Sequence, residues 1–138
     1  MNTSILLQVG VKIFLKNRKG VYLLLRRSAE KYPSIKNFWD IPGGRIFPGT
    51  PLFENIQREV REETELVVTG APKLICAQDI IREEEKHIVR LTYEGEANGN
   101  PVLNEEHIEY RWLTLKGMLE IKELDEFTRE VIEKGLVV

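Results

Sequence analysis

The sequence predicts an α+β fold in which helices cover a central mixed β-sheet as an α/β/α sandwich. Strand-forming segments rich in β-branched and long apolar residues alternate with turns of glycine, asparagine and proline. Two amphipathic helical patterns interrupt them, one in the middle of the chain and one at its end. Because 138 residues is the size of one domain and no repeat or linker is visible, we expect a single domain spanning 1–138.

The charge balance excludes a strong overall electrostatic field. With 20 basic and 22 acidic residues the net charge is −2, which attracts neither a nucleic acid polymer nor an acidic membrane. A polyanionic ligand would therefore need local help from metal ions or from a few placed Arg and Lys side chains. Cys76 is the single cysteine, so an intramolecular disulfide and a Cys-rich metal site are both excluded.

The N-terminal segment lacks the features of an export signal. Residues 1–14 contain no basic region and no small-residue cleavage site. No apolar run in the chain approaches the length of a membrane-spanning helix. We expect a soluble, cytoplasmic protein without a membrane partner.

The first part of the chain predicts strands. Apolar and β-branched residues fill 5–16 and 21–28, and the short turn between them ends in glycine, which indicates a hairpin. A polar loop follows at 31–37. Residues 38–41 form a short extended piece that stops at a Pro-Gly-Gly sequence, 42–44.

A helix is predicted directly after this glycine-rich loop. Thr50 followed by Pro51 is a start signal, with Thr50 as the N-cap and Pro51 at the first helical position. Apolar residues at helical spacing then form one face. They are Leu52, Phe53, Ile56 and Val60.

Further strands and a second helix are predicted beyond the first helix. Residues 73–80, 86–97 and 109–115 have the composition of strands. Residues 123–136 form an amphipathic helical pattern, and Gly135 is a C-cap signal. The apolar side of this helix carries Leu124, Phe127, Val131 and Ile132.

The first helix carries an unusual concentration of charge. Glu59 and Glu63 are four residues apart and Glu62 lies three beyond Glu59, so the three carboxylates share one stripe of the helix. Like charges this close destabilise a helix, and Mg²⁺ or Mn²⁺ would offset their repulsion, because both ions prefer carboxylate oxygen. The alternative is a solvated face in which Arg58 and Arg61 supply intrahelical partners.

The glycine-rich loop in front of the helix favours the metal site. The glycines of 42–44 let the backbone approach a ligand closely and expose carbonyl oxygens that can add a ligand. Gly49 allows a tight turn just before the helix. A strand, a glycine loop and a helix with stacked carboxylates together indicate a platform for metal ions and phosphates.

These residues resemble the signature of the Nudix hydrolases. That signature runs glycine, five residues, glutamate, seven residues, then Arg-Glu-apolar-any-Glu-Glu-any-Gly-apolar. With Gly44 as its first position, the sequence REVREETEL at 58–66 falls at the right distance, so the box spans 44–66. The preceding FWDIPGG is similar to the usual approach to the box, and a weaker likeness extends over the whole chain.

The resemblance implies a metal-dependent hydrolase. Glu59, Glu62 and Glu63 would be ligands of Mg²⁺, or of Mn²⁺ as a substitute, and the carbonyl of Gly43 would be an additional ligand. Arg58 would orient the carboxylates through a salt bridge. Such enzymes cleave a nucleoside diphosphate linked to another group by attack of water on phosphorus, and metal ions stabilise the charge of the transition state.

Two positions depart from the family pattern. Thr50 stands where the box has glutamate, and Glu65 stands where it has glycine. We expect Thr50 to weaken the metal site without abolishing it, because the three helix carboxylates remain. A degenerate domain that binds a nucleotide as a sensor, without hydrolysing it, is the alternative. Glu65 should matter less, because a left-handed glycine cap can be replaced at modest cost.

Candidate site residues also lie outside the helix. Family members often take a further carboxylate from a loop after the box, as a ligand or base, and here Glu106 or Glu105 could supply it. The neighbouring His107 is more typical of a loop or strand edge than of a base.

The substrate side of the site also has candidates. Arg27 could bind a phosphate, since its planar fork suits phosphate oxygens. Gly44 would let the substrate approach the backbone. Phe38, beside Trp39, could wall a base pocket, although large aromatic residues at a strand start are more often core.

The substrate class follows by elimination. Residues that mark the hydrolases of ADP-ribose and of dinucleoside polyphosphates in the family are absent at the expected positions. There is also no basic tract to hold RNA. The MutT-like group remains, which converts nucleoside triphosphates, including oxidised ones, to the monophosphate and pyrophosphate; a nucleotide-sugar stays open. Many members pair through their sheets, so a homodimer is compatible with the resemblance.

Overall fold

The alternating apolar residues of the sequence build a seven-stranded mixed sheet in the computed structural model, which describes residues 4–33, 37–83 and 85–138. The strands are β1 (Leu6–Lys16), β2 (Tyr22–Arg27), β3 (Trp39–Asp40), β4 (Gly43–Arg45), β5 (Thr69–Glu83), β6 (Lys86–Glu96) and β7 (His107–Leu113). The helices are α1 (Leu52–Thr64), α2 (Leu115–Leu119) and α3 (Glu126–Glu133).

The sheet consists of two halves that meet at the hairpin of β1 and β2. In one half β1 pairs parallel with β6 and antiparallel with β4, while β5 pairs antiparallel with β6. In the other half β2 pairs antiparallel with β3 and with β7. The two hairpin strands pair only near their turn, through Lys16 and Tyr22, so the sheet opens beyond that point.

Apolar cores lie on both faces of this sheet, which confirms the predicted sandwich. Side chains alternate between the faces along each strand. Val11, Ile13 and Leu15 of β1 join the core under α1, whereas Phe14 and Leu24 join the core under α2 and α3.

The start of α1 differs from the prediction by one residue. Pro51 is the N-cap, in an extended conformation and without a side-chain cap, so the assignment of Thr50 as the N-cap was wrong. The end of α1 agrees with the sequence. Glu65 occupies the left-handed C-cap position at φ 61°, where its backbone N–H donates to the Arg61 carbonyl.

Two short elements escaped prediction. β4 consists of Gly-Gly-Arg, which has no strand pattern, and it forms because it pairs with β1. α2 has only five residues and is capped by the hydroxyl of Thr114. Of the predicted loop at 31–37, residues 34–36 lie outside the described part of the chain.

The C-terminal helix forms as predicted, with a cap that the sequence analysis did not assign. Asp125 accepts hydrogen bonds from the N–H groups of Phe127 and Thr128 at the start of α3. Gly135 follows the helix at φ 69°, as the C-cap signal predicted. In the ranges that the structure describes, no helix has the length and apolar composition needed to cross a membrane.

Candidate active site

A cavity of about 430 Å³ lies where the two halves of the sheet diverge. Residues from all seven strands, from α1 and from the start of α3 line it. Its acidic lining comes from Asp40, Glu59, Glu63, Glu106 and Asp125, and its basic lining comes from Lys12, Arg27, Arg45 and Arg90. The cavity therefore combines the carboxylates needed for a cation with the cations needed for an anionic ligand.

The two glycines of β4 bring backbone and carboxylates together. Gly43 has φ 139°, and a side chain there would overlap the carbonyl oxygen of Val11. A Cβ at Gly44 would lie 2.5 Å from Oε2 of Glu59. Both positions thus need glycine, the first for its backbone conformation and the second so that Glu59 can lie against the chain.

Two carboxylates of α1 face the cavity. Glu63 is 6% exposed, and its Oε1 accepts a hydrogen bond from the N–H of Gly43 at 2.9 Å. Burial raises the pKa of Glu63 to about 8. Burial also raises the pKa of Glu59; Arg58 opposes that rise, and the charge of Glu62 adds to it.

Glu62, the third carboxylate of the predicted metal-binding stripe, lies outside the cavity. The side chain of Glu62 is 56% exposed, and its Oε1 lies 3.7 Å from Nε of Arg58. Arg58 also donates to Glu59 from Nη2 at 3.2 Å. Arg58 therefore contacts both carboxylates, in agreement with the orienting role that the resemblance implies.

Arg58 is itself held by Arg45 at the end of β4, by Phe47 just after it and by Asn55 of α1. Its Nη2 donates to the carbonyl of Arg45 at 2.9 Å, and its Nη1 donates to Oδ1 of Asn55 at 2.6 Å. The guanidinium carbon lies 3.6 Å from the centre of the Phe47 ring. This stacking and these two hydrogen bonds fix the guanidinium against the loop.

Asn55 is a site residue that the sequence analysis missed. It is fully buried in α1; its Oδ1 accepts from the N–H of Phe47 as well as from Arg58. Its Nδ2 donates to the carbonyls of Thr50 and Pro51. The only signal in the sequence is an amide beside Ile56, on the side of the helix that is otherwise apolar.

The loop before β7 adds a further carboxylate to the cavity, that of Glu106, and the first residue of β7 adds the imidazole of His107. Ligand atoms of Glu63, Glu106 and His107 all lie within 4.8 Å of one another. Burial, with the cations of Lys12 and Arg27, lowers the pKa of His107 to about 4, so the ring is neutral at neutral pH. His107 is the first residue of β7, which agrees with the expected strand edge, and it also lines the cavity.

The structure separates the two candidate carboxylates of that loop. The Glu105 side chain is 82% exposed and pairs with Lys31 at 2.9 Å. Glu106 lines the cavity beside Glu63. Of the two, only Glu106 is placed to act on a bound ligand.

A buried ion network forms the other end of the cavity. Asp40 lies 3.1 Å from Nζ of Lys12 and 3.2 Å from Nη2 of Arg90, and it accepts a hydrogen bond from Thr128 at 2.6 Å. Arg90 also pairs with Asp125 at 3.3 Å. Burial alone would raise the pKa of Asp40, but Arg90 and Lys12 outweigh it and hold that pKa below its ordinary value.

The remaining predicted residues divide between cavity and core. Arg27 lines the cavity, with Nη2 at 3.8 Å from Asp40. Phe38 packs against the core under α2 and α3 and does not line the cavity, and Trp39 is buried in the same core. The structure therefore favours the core alternative for both aromatic residues.

The donor set at the carboxylate end fits a hard divalent cation. Glu63 is a buried carboxylate with one hydrogen-bond donor, Gly43, and burying such a group is costly unless it is paired. Glu59 and Glu106 add oxygen atoms, which Mg²⁺ and Mn²⁺ prefer. A divalent ion would supply the missing positive charge.

Comparison with known proteins identifies the family of the chain. The model of the NUDIX domain matches residues 6–135. A nucleoside triphosphatase, NudI of Escherichia coli, is 29% identical over 131 residues, which cover 86% of this chain and 90% of that protein.

Solved structures share the fold. A MutT protein from Methanosarcina mazei superimposes with a TM-score of 0.81 at 31% identity, covering 96% of this chain and 95% of that one. A MutT NUDIX hydrolase from Burkholderia pseudomallei has the same fold, with a TM-score of 0.77 at 24% identity over 93% of this chain and 97% of that one. The chain therefore belongs to the Nudix hydrolase family, as its sequence predicts, and is a pyrophosphohydrolase.

Proposed function

We propose that the protein is a Mg²⁺-dependent hydrolase, with Mn²⁺ as a substitute, that converts a nucleoside triphosphate to the monophosphate and pyrophosphate. Oxidised nucleoside triphosphates belong to the same substrate class. The observation that carries the proposal is the buried Glu63 carboxylate, which shares a cavity with the carboxylates of Glu59 and Glu106 and with basic side chains. The similarity to a nucleoside triphosphatase supports a triphosphate substrate.

The proposed ligands of the metal ion are the carboxylates of Glu59, Glu62 and Glu63 and the carbonyl of Gly43. Glu62 would complete the set from the exposed side of α1. When bound, the ion would neutralise the phosphates and would make the attacking water more acidic. Arg58 positions Glu59 and Glu62 through its contacts to both side chains.

The remaining residues bind the substrate and move the proton. Arg27 binds a phosphate, because its guanidinium faces the cavity. Gly44 lets the phosphate chain approach the backbone of β4. Glu106 takes the proton of the attacking water at a carboxylate oxygen. The new P–O bond forms as the phosphoanhydride bond breaks, and pyrophosphate leaves.

A substrate panel tests this proposal. The four dNTPs, 8-oxo-dGTP, ADP-ribose, a dinucleoside tetraphosphate and GDP-mannose would be incubated with Mg²⁺ or Mn²⁺, and the products resolved by chromatography. We expect metal-dependent turnover that is fastest on a triphosphate and falls by at least about 10²-fold in Glu63→Gln. Glu62→Gln should also lose activity, and Glu54→Gln, an exposed carboxylate on the same helix, is the matched control.

Two results would overturn the substrate assignment. Fastest turnover of GDP-mannose would identify a nucleotide-sugar hydrolase. Binding of a nucleotide without turnover of any panel member would support the sensor alternative that Thr50 raises.

A further inference from the structure

We propose that His107 is a direct metal ligand of this site and that, with Glu63 and one carboxylate oxygen of Glu106, it forms a mixed nitrogen and oxygen position that favours Mn²⁺ and other transition ions over Mg²⁺. The other oxygen of Glu106 stays available for the proton of the attacking water. The inference rests on the proposed metal dependence. It adds a ligand that the Nudix signature does not contain, since His107 lies outside the box at 44–66.

Three different elements bring the donor atoms together. Glu63 projects from the last turn of α1, Glu106 ends the loop before β7, and His107 is the first residue of β7. One ligand atom from each lies within 4.8 Å of the other two. Two bonds of about 2.2 Å each span at most about 4.4 Å. Small rotations of the three side chains would therefore bring their ligand atoms to bonding distance of a single ion.

Backbone pairing fixes Glu106 and His107 in this position. The N–H of Ser28 donates to the carbonyl of Glu106 at 2.9 Å, and His107 pairs with Arg27 in the antiparallel ladder of β2 and β7. The side chain of Asn104 accepts from the N–H of Glu106 at 3.1 Å. The donor atoms therefore sit on a paired strand end and not on a free loop.

His107 also has an unsatisfied polar atom. Its Nδ1 is buried and has no hydrogen-bond partner among the residues that the structure describes. A buried polar atom without a partner destabilises the protein, and a bound metal ion would satisfy it. The chain's other histidine differs: Nε2 of His87 lies 2.7 Å from Oδ1 of Asp79, so that ring has a partner of its own.

The chemistry of the donors predicts which ions this position selects. Carboxylate and water ligands suit Mg²⁺ and Mn²⁺, whereas imidazole suits transition ions. A position with two carboxylates and one imidazole should therefore lose more affinity for Mn²⁺ than for Mg²⁺ when the imidazole is removed.

Pulsed EPR of the protein with Mn²⁺ alone tests the coordination directly. We expect a ¹⁴N coupling of a directly bound imidazole in the wild type, which changes to a ¹⁵N coupling when the histidines are labelled with ¹⁵N. The coupling should persist in His87→Gln, the matched control, and disappear in His107→Gln. The wild-type spectrum is informative even if a variant does not fold.

Affinity measurements supply the second readout. The EPR signal of free Mn²⁺ gives the dissociation constant, and displacement by Mg²⁺ gives the relative affinity of the two ions. We expect His107→Gln to weaken Mn²⁺ binding by about tenfold or more and to change Mg²⁺ binding much less.

The outcomes separate this inference from the proposed function. One outcome is that Mn²⁺ binds to the wild type through Glu63 and gives no nitrogen coupling in the spectrum. That result would overturn the role of His107 and leave the carboxylate site intact. A nitrogen coupling that persists in His107→Gln would also overturn the role of His107. No binding of Mn²⁺ at all would overturn both the ligand and the metal dependence.

Discussion

Glu65 shows how a single backbone conformation can depart from a family pattern at small cost. It is the only non-glycine residue with positive φ in the part of the chain that the structure describes. Its N–H still caps α1 through the Arg61 carbonyl at 2.9 Å, so the cap survives without glycine. An L-residue in this region carries a conformational cost that glycine does not.

Glu65→Gly should therefore stabilise the protein. We expect the free energy of unfolding to rise by about 1 kcal/mol, because glycine adopts the left-handed conformation without steric conflict. Urea denaturation measures this change, and hydrolysis should be unaffected. Glu65→Ala keeps the strain and is the control. Equal stability of the two variants would show that the left-handed cap costs nothing here.

At the scale of elements, α1 and the loop in front of it act as one unit. Asn55 joins them through hydrogen bonds to Phe47, Thr50 and Pro51, and it also accepts from Arg58. The loop is therefore held without a glutamate at position 50. We therefore expect the site to tolerate Thr50.

Asn55→Ala should weaken both the fold and the catalytic arrangement. The loop N–H of Phe47 and the guanidinium of Arg58 would each lose an acceptor, and we expect a loss of about 2–3 kcal/mol in the free energy of unfolding. Turnover should also fall at saturating metal. Asn98→Ala removes a single exposed contact to Arg18 and should cost less than about 1 kcal/mol. Similar losses in the two variants would contradict a special role for Asn55.

Local patterns predict some parts of the site better than others. Glu59 and Glu63 follow from helical spacing. Glu106, with Glu105 as the alternative, follows from the family resemblance, because family members often take a carboxylate from a loop after the box. Asp40 and Arg90 could not be predicted, because they lie 50 positions apart on strands that are not neighbours, and their side chains meet only in the cavity of the folded sheet. Neither residue carries a local signal that separates it from an ordinary strand residue.

Secondary structure that depends on contacts between distant parts of the chain is equally hard to predict from sequence. The long strands and the two longer helices follow from periodicity, and their order along the chain predicts the sandwich. β4 escapes because pairing with β1, and not its Gly-Gly-Arg sequence, makes it a strand. Short elements of this kind are defined by tertiary contacts, which override local propensity.

At the scale of the whole molecule, the buried ion network joins the sheet to the last helix. Asp40 of β3 contacts Lys12 of β1, Arg90 of β6 and Thr128 of α3. Arg90 and Asp40 are both 5% exposed, so neither charge can be satisfied by water if its partner is removed. Breaking such a buried pair costs far more than breaking a surface pair.

Asp40→Asn should therefore destabilise the protein by about 3 kcal/mol, measured by urea denaturation. The variant leaves the buried cations of Arg90 and Lys12 without their shared carboxylate. Glu109→Gln is the control, because its pairs with Arg26 and Arg111 are partly exposed and should together contribute less than about 1 kcal/mol. A loss in Asp40→Asn no larger than in the control would contradict the importance of the network.

The same network predicts a dependence of stability on pH. The pKa of Asp40 is held below its ordinary value by Arg90 and Lys12, which outweigh the effect of burial. Its contribution is therefore complete above the unfolded value of about 3.9 and is lost as the pH falls below it. The acid-side loss of stability should be smaller in Asp40→Asn than in the wild type. Equal slopes below about pH 4 would contradict this assignment.

The most direct measurement of the central claim is ³¹P NMR of the products formed from a dNTP with Mg²⁺, for the wild type and for Glu63→Gln. We predict the monophosphate and pyrophosphate as products, with turnover abolished by chelation of the metal and reduced at least about 10²-fold in the variant. Release of orthophosphate and a diphosphate, or turnover that survives both chelation and Glu63→Gln, would contradict a metal-dependent pyrophosphohydrolase acting through this cavity.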